Sequence, residues 1–265
     1  MFNVSDRSVL RQLEGHKRAV HVSHFSSSLV HVLSGSDDAT VRLWDLSEGK
    51  QIARFDGHRD YVRAGIQSPT SCDVWATGGY DHVCRIWDVR QRTCCFELDH
   101  GAPIESVVFL PSGTIVVTAG GPYLCIWDVL STGRMLRKLE SHHKTITAVN
   151  VVHGSHQQLN GPRLASASLD QHVKIYDLTE FKVVHDARYK NPILSLASTL
   201  DGRSYAVGMS NGTIVLRDNR HKQVQQPQVA ETETSNSIRH KKLQLSGFNK
   251  LLRKFRSHQD SFGLV

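Results

Sequence analysis

The sequence predicts an all-β fold built from short strands that repeat at a fixed spacing. A histidine recurs every 42 residues, at His16, His58, His100 and His142, and each copy is followed by an apolar strand that ends in an aromatic residue and an aspartate. Between these signals, strand, tight turn and strand alternate at short intervals without helical periodicity. Both observations indicate a repeat architecture made of small antiparallel sheets.

The first repeat shows how one unit is built. Residues 33–36 form a short strand, and Asp37 and Asp38 supply turn chemistry. Residues 40–44 then return as a strand rich in β-branched and aromatic side chains. A lone sheet of this kind cannot bury both of its faces, whereas sheets stacked around an axis can. The repeat therefore predicts a β-propeller.

The later units keep this order with local departures. The third unit carries Gly120-Gly121-Pro122 in place of the turn aspartate, and the fourth contains an insertion at residues 153–163 that we expect to be a surface loop. His153 and His156 in this insertion lack a third ligand nearby, so we predict no metal there. A degenerate fifth unit ends at Arg217-Asp218. The aromatic–aspartate pairs of the first four units are Trp44-Asp45, Trp87-Asp88, Trp127-Asp128 and Tyr176-Asp177.

These features resemble the WD40 repeat family, in which one His, one Ser or Thr, one Asp and one Trp per blade form a hydrogen-bonded set. A buried carboxylate needs such donors, because burial without them is costly. The resemblance implies three such sets, with Tyr in place of Trp in the last: His16, Ser34, Asp38 and Trp44; His58, Thr77, Asp81 and Trp87; His142, Ser166, Asp170 and Tyr176.

The sets combine Ser or Thr with His and Asp, as catalytic triads do. A nucleophile would occur once, whereas these sets recur, so we interpret them as structural. The sequence also lacks a glycine-rich phosphate loop, a metal-ligand cluster and a unique pair of carboxylates. We therefore predict a chain that is not an enzyme, with no catalytic residues, no cofactor and no metal.

Propellers of the WD40 family usually have seven blades, and the sequence accounts for about five. Phe2-Asn3-Val4 lies where an aromatic–aspartate pair would end a preceding blade. We therefore expect residues 1–220 to form a partial propeller that lacks roughly two upstream blades, with a closed five-bladed ring as the alternative. Such an open ring would expose two blade faces and be prone to association.

The C-terminal stretch differs from the propeller in composition. Residues 221–237 are rich in Gln, Ser, Thr and Glu and predict a flexible linker. Residues 238–265 predict a basic amphipathic tail, because apolar residues follow helical spacing. The family resemblance described below implies that this tail leads to a helical domain missing from the chain. This helix could dock a partner, contact RNA or pack on a domain outside the chain. The tail residues concerned are Phe248, Leu251, Leu252, Phe255, Lys250, Arg253 and Lys254.

Charge is concentrated in the same region. Residues 217–265 hold ten Lys or Arg and four Asp or Glu, whereas the remainder holds 22 and 21. A nearly neutral body argues against a propeller that grips phosphate with its whole surface. No apolar stretch approaches the length of a membrane span. The five cysteines form no CxxC pair, which is typical of a protein in a reducing intracellular compartment.

Several segments are more specific than a general WD40 pattern, among them LSGSDDATVRLWDL, HGAPIESVVFLPSG and SHHKTITAV. They resemble a family of WD40 proteins of the nucleolar small-subunit processome. The resemblance implies a scaffold in the nucleus and nucleolus that acts in pre-rRNA processing for 18S rRNA maturation and in rRNA transcription. Its partners would be processome proteins, with pre-ribosomal RNA contacted indirectly or through the basic tail, and with no membrane or small-molecule substrate.

A different class of function remains open at this point. Trp87-Asp88-Val89-Arg90 matches the WDxR pattern through which substrate receptors of cullin-type ubiquitin ligases dock their adaptor. For either class, loops on a rigid scaffold are the expected binding surface. The candidate partner-binding residues follow the blade-opening histidines: Lys17, Arg18, Arg59, Tyr61 and Glu105.

Overall fold

The computed structural model describes residues 12–152, 163–199 and 204–218, and its regular secondary structure in these ranges is entirely β. The predicted all-β fold is confirmed. The strands are β1 (Val20–Phe25), β2 (His31–Ser36), β3 (Thr40–Asp45), β4 (Gln51–Asp56), β5 (Val62–Gln67), β6 (Val74–Gly79), β7 (Val83–Asp88), β8 (Thr93–Asp99), β9 (Ile104–Phe109), β10 (Ile115–Gly120), β11 (Tyr123–Asp128), β12 (Arg134–Glu140), β13 (Ile146–Val152), β14 (Arg163–Ser168), β15 (His172–Asp177), β16 (Lys182–Arg188), β17 (Ile193–Ser198), β18 (Ser204–Met209) and β19 (Ile214–Asp218).

The strands form five antiparallel sheets that follow one another along the chain, which confirms the predicted five blades. Strands β1–β4, β5–β8, β9–β12 and β13–β16 each form a four-stranded sheet in sequential order. The fifth sheet contains β17, β18 and β19 within the described residues. Sequential order is expected, because each connection is a hairpin too short for a crossover.

The turn between the second and third strands of a blade is set by local chemistry. In the first blade a carboxylate oxygen of Asp38 accepts the backbone N–H of Thr40 at 3.0 Å, and Ala39 between them has a positive φ of 62°. The equivalent residues of the second and fourth blades, His82 and Gln171, have φ of 68° and 76°. The aspartate thus stabilises a turn in which a side chain occupies the left-handed region.

Neighbouring sheets stack face to face. The innermost strands β1, β5, β9, β13 and β17 contact one another in chain order. We call the face that a sheet turns to the next sheet its forward face, and the opposite face its rear face. In the first blade the forward face holds Leu33, Val41 and Leu43, which pack with Trp75 and Trp87 on the rear face of the second blade.

Each interface between sheets has its own apolar core, and four such clusters occur in the described residues. The outer strands take part: the ring of Phe55 on β4 lies 5.4 Å from that of Trp87 in the next blade. At about 25 cal/mol per Å² of buried apolar area, burial between stacked sheets is the main favourable contribution to the free energy of folding. One consequence is that no blade is stable without a neighbour.

Several predictions fall outside the described residues. They concern Phe2-Asn3-Val4, the insertion apart from Arg163, the linker at 221–237 and the tail at 238–265. The part of the chain that the structure describes contains no helix long and apolar enough to cross a membrane.

Candidate protein-interaction surface

The first predicted set is brought together at the rear face of blade one. Nδ1 of His16 lies 3.0 Å from a carboxylate oxygen of Asp38, and its Nε2 lies 2.7 Å from Oγ of Ser34. The indole N–H of Trp44 donates to the same Ser34 oxygen at 2.7 Å. If Nδ1 carries the proton, every donor and acceptor in this series of hydrogen bonds has a partner. The set therefore ties the blade-opening loop to β2 and β3.

The second set repeats this geometry. His58 lies 3.0 Å from Asp81 and 2.8 Å from Oγ1 of Thr77, which also accepts the indole N–H of Trp87 at 2.7 Å. Nη1 of Arg85, which sequence reasoning did not single out, donates to Asp81 at 2.6 Å. The side chains of Arg85 and Asp81 are only 3% and 4% exposed, so this is a buried ion pair.

In the fourth blade tyrosine takes part in a modified set. His142 lies 2.8 Å from Asp170 and 2.7 Å from Oγ of Ser166. The Tyr176 hydroxyl lies 3.3 Å from Ser166 Oγ and is also hydrogen-bonded to the Ser141 hydroxyl. A phenol reaches farther than an indole N–H, and Ser141 provides its second partner.

The third blade closes its set without an aspartate. Thr118 Oγ1 lies 2.8 Å from Nδ1 of His100 and accepts the indole N–H of Trp127 at 2.9 Å. The other ring nitrogen, Nε2, lies 3.0 Å from the backbone carbonyl oxygen of Gly120. In the first, second and fourth blades Nε2 of the histidine contacts the hydroxyl, whereas in this blade Nδ1 does. Sequence reasoning treated this set as incomplete, although His100 and Thr118 stand at the repeat positions that would have identified it.

Charge at these sets is balanced within each blade. Four residues after each turn aspartate stands a cation: Arg42 after Asp38, Arg85 after Asp81 and Lys174 after Asp170. Arg42 lies 3.9 Å from Asp38, whereas Lys174 forms an ion pair with Asp186 at 3.6 Å. In the third blade the equivalent position is Cys125, which is fully buried. The blade that lacks the carboxylate therefore also lacks the cation, as the cost of an unpaired buried charge requires.

The surroundings of the carboxylates favour the charged form. Burial alone would raise the pKa of Asp38, but hydrogen bonds from Thr40, the Lys17 backbone and His16 hold it well below the usual range. Burial opposes ionisation of Asp81 too, and donation from His58, Arg59 and Arg85 likewise lowers its pKa. These carboxylates are therefore ionised at neutral pH.

The histidines respond to burial in the opposite direction. Burial lowers the pKa of His142, with a partial counter-effect from Asp170, and burial likewise lowers that of His100. Both rings are therefore neutral at pH 7. Thr77, Thr118 and Ser166 are completely buried and already hydrogen-bonded, so these hydroxyls are inaccessible to a substrate. We call the sets anchors, because their hydrogen bonds hold the blade-opening loop to the strands of the blade.

The five predicted partner-binding residues lie beside these anchors. The backbone N–H groups of Lys17 and Arg59 donate to Asp38 and Asp81, both at 3.0 Å. Their side chains are exposed, as is that of Arg18. A rigid backbone with free basic side chains is the arrangement in which binding loops commonly occur.

Tyr61 and Glu105 belong to a cluster that sequence reasoning did not assemble. The ring of Tyr61 lies 6.2 Å from that of Tyr80, whose hydroxyl donates to Glu105 at 2.6 Å. The guanidinium of Arg63 lies 5.5 Å from the Tyr80 ring centroid, and its Nε is 3.9 Å from Glu105. Burial and the bond to Glu105 raise the pKa of Tyr80. We call these four residues the tyrosine cluster.

A structural irregularity explains why Arg63 and Glu105 point to this surface. The ladder between the first and second strands of every blade shifts register near the start of the first strand. One extra residue at such a bulge re-aims a side chain away from the sheet. The residues at the five shifts are His21, Arg63, Glu105, Thr147 and Leu194. The repeat spacing contains this signal, since these positions follow the blade-opening histidines at nearly constant distance.

The WDxR segment lies at the end of β7. Arg90 is 68% exposed, and it pairs with Asp73 at 3.3 Å and with Asp88 at 3.6 Å. Within the described residues no group of three or more His, Cys, Asp or Glu is placed to hold a metal ion. All five cysteines are free thiols.

Comparison with known proteins places these features in a family. The WD domain, G-beta repeat, matches residues 7–45, 49–88, 92–128 and 133–177. The chain is 42% identical over 228 residues to the U3 small nucleolar RNA-associated protein 15 homolog of Xenopus tropicalis, covering 86% of this chain and 43% of that protein. It is 41% identical over 226 residues to U3 small nucleolar RNA-associated protein 15 of Schizosaccharomyces pombe, covering 83% and 44%.

A plant relative shows the same pattern. The Arabidopsis thaliana protein SLOW WALKER 1 is 37% identical over 217 residues, covering 81% of this chain and 40% of the relative. The chain thus spans about two fifths of the length of the curated relatives it matches. With the repeat profile matching four successive blades and the sheets stacked in the same order, the chain belongs to the WD40 repeat family.

Proposed function

We propose that this chain is a non-catalytic WD40 scaffold of ribosome biogenesis that works in the nucleolus. The observation that carries the proposal is the 42% identity, over 86% of the chain, to a protein named for its association with U3 small nucleolar RNA. As a subunit of the small-subunit processome, the chain would serve pre-rRNA processing toward 18S rRNA and rRNA transcription. Buried, repeated hydrogen-bonded sets support a rigid scaffold over a catalyst.

The charge distribution supports protein subunits as the direct partners of the propeller. Residues 1–216 carry nearly equal numbers of acidic and basic side chains, whereas residues 217–265 hold ten Lys or Arg against four Asp or Glu. Affinity for nucleic acid depends on the neutralisation of phosphates by cations. Contact with pre-ribosomal RNA would therefore run through the C-terminal stretch or through a partner protein.

The tyrosine cluster, together with Lys17, Arg18 and Arg59, is the proposed docking surface. Tyr61 is 38% exposed and is oriented through its neighbour Tyr80, which Glu105 and Arg63 hold in place. Tyrosine and arginine are the residues most often found at the energetic centre of protein interfaces. A pre-ordered aromatic side chain loses little conformational freedom on binding.

The test is affinity purification of the tagged chain from cells, with mass spectrometry and RNA sequencing of what is recovered. We expect processome proteins together with pre-ribosomal RNA. Recovery of a cullin adaptor in their place would support the WDxR alternative and contradict the proposal. Recovery of chaperones alone would also contradict it for this chain.

A paired variant tests the docking surface itself. Arg18→Glu with Tyr61→Ala should reduce recovery of the partner proteins about tenfold, since hot-spot residues each contribute more than 1 kcal/mol. The matched control is Lys50→Glu with Ile52→Ala, which makes the same kinds of change on two exposed residues, one just before the outer strand β4 and one within it. Equal recovery with both variants would show that the partners bind elsewhere.

A further inference from the structure

The residue that follows the blade-opening histidine is held by the turn aspartate of the same blade. In three blades its backbone N–H donates to that carboxylate at 3.0 Å, and these residues are Lys17, Arg59 and His143. Arg18 and Lys144 come next along the chain in the first and fourth blades. All five side chains are exposed. The hydrogen bond therefore fixes the backbone of these loops and leaves the side chains in solvent.

These loops lie at one end of the stacked sheets, which we call the entry end. Consecutive strands of each sheet are antiparallel, so the loop that opens a blade lies at the same end as the turn between its second and third strands. The other two hairpins of the blade lie at the opposite end. We use the name entry cations for four exposed residues of the loops that open the first, second and fourth blades: Lys17, Arg18, Arg59 and Lys144.

The entry cations have no acidic partner in the described part of the chain. Elsewhere on the surface, several cations pair with an acid two residues away, with 2.6–3.0 Å between the charged atoms. These pairs are Lys50 with Glu48, Arg54 with Asp56, Lys138 with Glu140 and Lys182 with Glu180. No ion pair among the described residues includes an entry cation. Their charges are therefore available to a partner.

Acids of the entry end are, by contrast, mostly bound within the chain. Six of them accept hydrogen bonds or form ion pairs with neighbouring residues: Asp37, Asp56, Asp60, Asp99, Glu105 and Glu140. Glu14, which precedes the first histidine, has no such partner among the described residues. The four entry cations thus outnumber the unpaired acid near them, and the surface attracts negative charge.

The acids between the entry cations decide which kind of anion fits. Asp60 directly follows Arg59, and Glu105 belongs to the tyrosine cluster. An RNA strand carries a phosphate at every nucleotide and would bring some of them against these carboxylates. A protein segment can instead place carboxylates at the cations and neutral side chains at the acids. Tyr61, which is 38% exposed, offers its ring to an apolar side chain of such a segment.

We propose that the partner of this surface is an acidic protein segment, whose carboxylates pair with the entry cations and one of whose apolar side chains packs on the ring of Tyr61. The inference rests on the proposed function, since it names the chemistry of the partner that the docking surface binds. Charge complementarity of this kind increases the rate of association and selects among partners.

Fluorescence anisotropy with the purified full chain tests the proposal. The probe is a labelled peptide of Glu-Glu-Leu repeats, and the comparison probe has Gln in place of Glu. The Glu peptide should bind about tenfold more tightly than the Gln peptide, and high salt should reduce this difference because exposed charges are screened. Equal binding of the two peptides at low salt would overturn the proposal.

Charge reversal tests whether the entry cations are responsible. Arg18→Glu with Arg59→Glu should weaken binding of the Glu peptide by about tenfold or more. The matched control is Arg134→Glu with Arg137→Glu, because these exposed arginines of β12 also lack an ion pair among the described residues. The control should bind as the parent chain does. An equal loss in both double variants, or no loss in either, would contradict the proposal.

Two further measurements accompany the variants. Thermal melting verifies folding, and Arg18→Gln with Arg59→Gln replaces the charge reversal if that variant does not melt cooperatively. An oligouridine RNA is titrated in parallel. If it binds more tightly than the Glu peptide and depends on the same two arginines, the surface binds nucleic acid and the proposal is wrong.

Zero-length crosslinking locates the contact on the chain. A carbodiimide joins a lysine amine to a carboxylate that touches it, so Lys17 and Lys144 should be joined to glutamates of the peptide. Crosslinks confined to lysines beyond residue 218 would refute the proposed site. Replacing Leu by Ser in the peptide should weaken binding to the parent chain but not to Tyr61→Ala, and an equal loss with both would refute the packing on Tyr61.

The peptide assay is independent of what the chain recovers from cells. Peptide binding at the entry cations without recovery of processome proteins would support this inference and contradict the proposed function. Recovery of processome proteins by the parent chain and equally by Arg18→Glu with Arg59→Glu would overturn this inference and leave the proposed function standing.

Discussion

The buried pair of Asp81 and Arg85 allows a quantitative test of charge balance in the blades. Asp81→Ala removes the acceptor of the His58 bond, the Arg59 backbone N–H bond and the Arg85 bond at 2.6 Å. Loss of a buried hydrogen-bonded group costs about 1–3 kcal/mol. Leaving a buried cation unpaired raises this to about 3–5 kcal/mol. Because Glu97 still contacts Arg85 Nε at 3.2 Å, we expect about 3 kcal/mol.

The third blade indicates how the stability lost in Asp81→Ala can be offset. There the carboxylate and the cation are both absent, with Cys125 in the cation's place, and the blade still folds. Arg85→Met alone should cost about 2–3 kcal/mol, because Asp81 remains buried without its main counter-charge. The double variant Asp81→Ala/Arg85→Met should cost about 3 kcal/mol, well below the sum of the single losses, which gives a coupling of about 2–3 kcal/mol.

The assay is urea unfolding followed by far-ultraviolet circular dichroism, with thermal melting in parallel. A loss of about 3 kcal/mol corresponds to a melting temperature lower by about 6–12 °C for a domain of this size. Glu48→Ala with Lys50→Met is the matched control, since that pair lies 3.0 Å apart but is 62% and 77% exposed. Single losses at Asp81 and Arg85 that add within about 0.5 kcal/mol would refute the charge-balance reasoning.

Three further predictions follow from the same sets. Because the folded-state pKa values of Asp38 and Asp81 are lowered, the unfolded chain takes up more protons than the folded chain below about pH 4. The melting temperature should therefore fall as the pH is lowered from about 4, and a melting temperature that stays constant down to about pH 2.5 would count against ionised sets. Because the pKa of His142 is lowered by burial, protonation of the unfolded chain should reduce stability below about pH 6.5, and His142→Gln should make that slope shallower in the same titration. Gly120→Ala should lower the free energy of unfolding by at least about 1–3 kcal/mol, because the added Cβ would lie 2.1 Å from the backbone oxygen of Pro103. An unchanged urea midpoint would mean that the backbone shifts there to make room for the Cβ.

The fold was predictable because the repeat spacing and the turn residues indicate where each strand and each blade begins. The resemblance to the WD40 family grouped the residues of each set, and the repeat spacing located them, since His16 and Asp38 are separated by 22 positions and the corresponding pair in the second blade by 23. The structure brings those residues within hydrogen-bond distance. Boundaries of individual strands follow from the same alternation of apolar and turn residues.

The docking surface was only partly predictable. Tyr61 and Glu105 could be named from their place after the blade-opening histidines, but Tyr80 and Arg63, which connect them, come from different strands. A bulge that re-aims Arg63 leaves no signature in apolar periodicity, because it depends on the register between two strands. The Arg85–Asp81 pair was missed for a related reason, since a lone arginine in a strand gives no indication that it is buried.

The contrast between the anchors and the bulge residues indicates how this scaffold separates stability from recognition. Each anchor uses a hydroxyl with little or no exposure and a fixed donor, so substitution there changes the fold before it changes any surface. The bulge residues differ from blade to blade, from His21 and Arg63 to Glu105 and Leu194, although the backbone that presents them is the same. A repeated backbone with varied side chains at one position can alter its partners without altering its stacking. For this reason we expect variants at the bulges to change what is recovered with the protein, and variants at the anchors to change whether it folds.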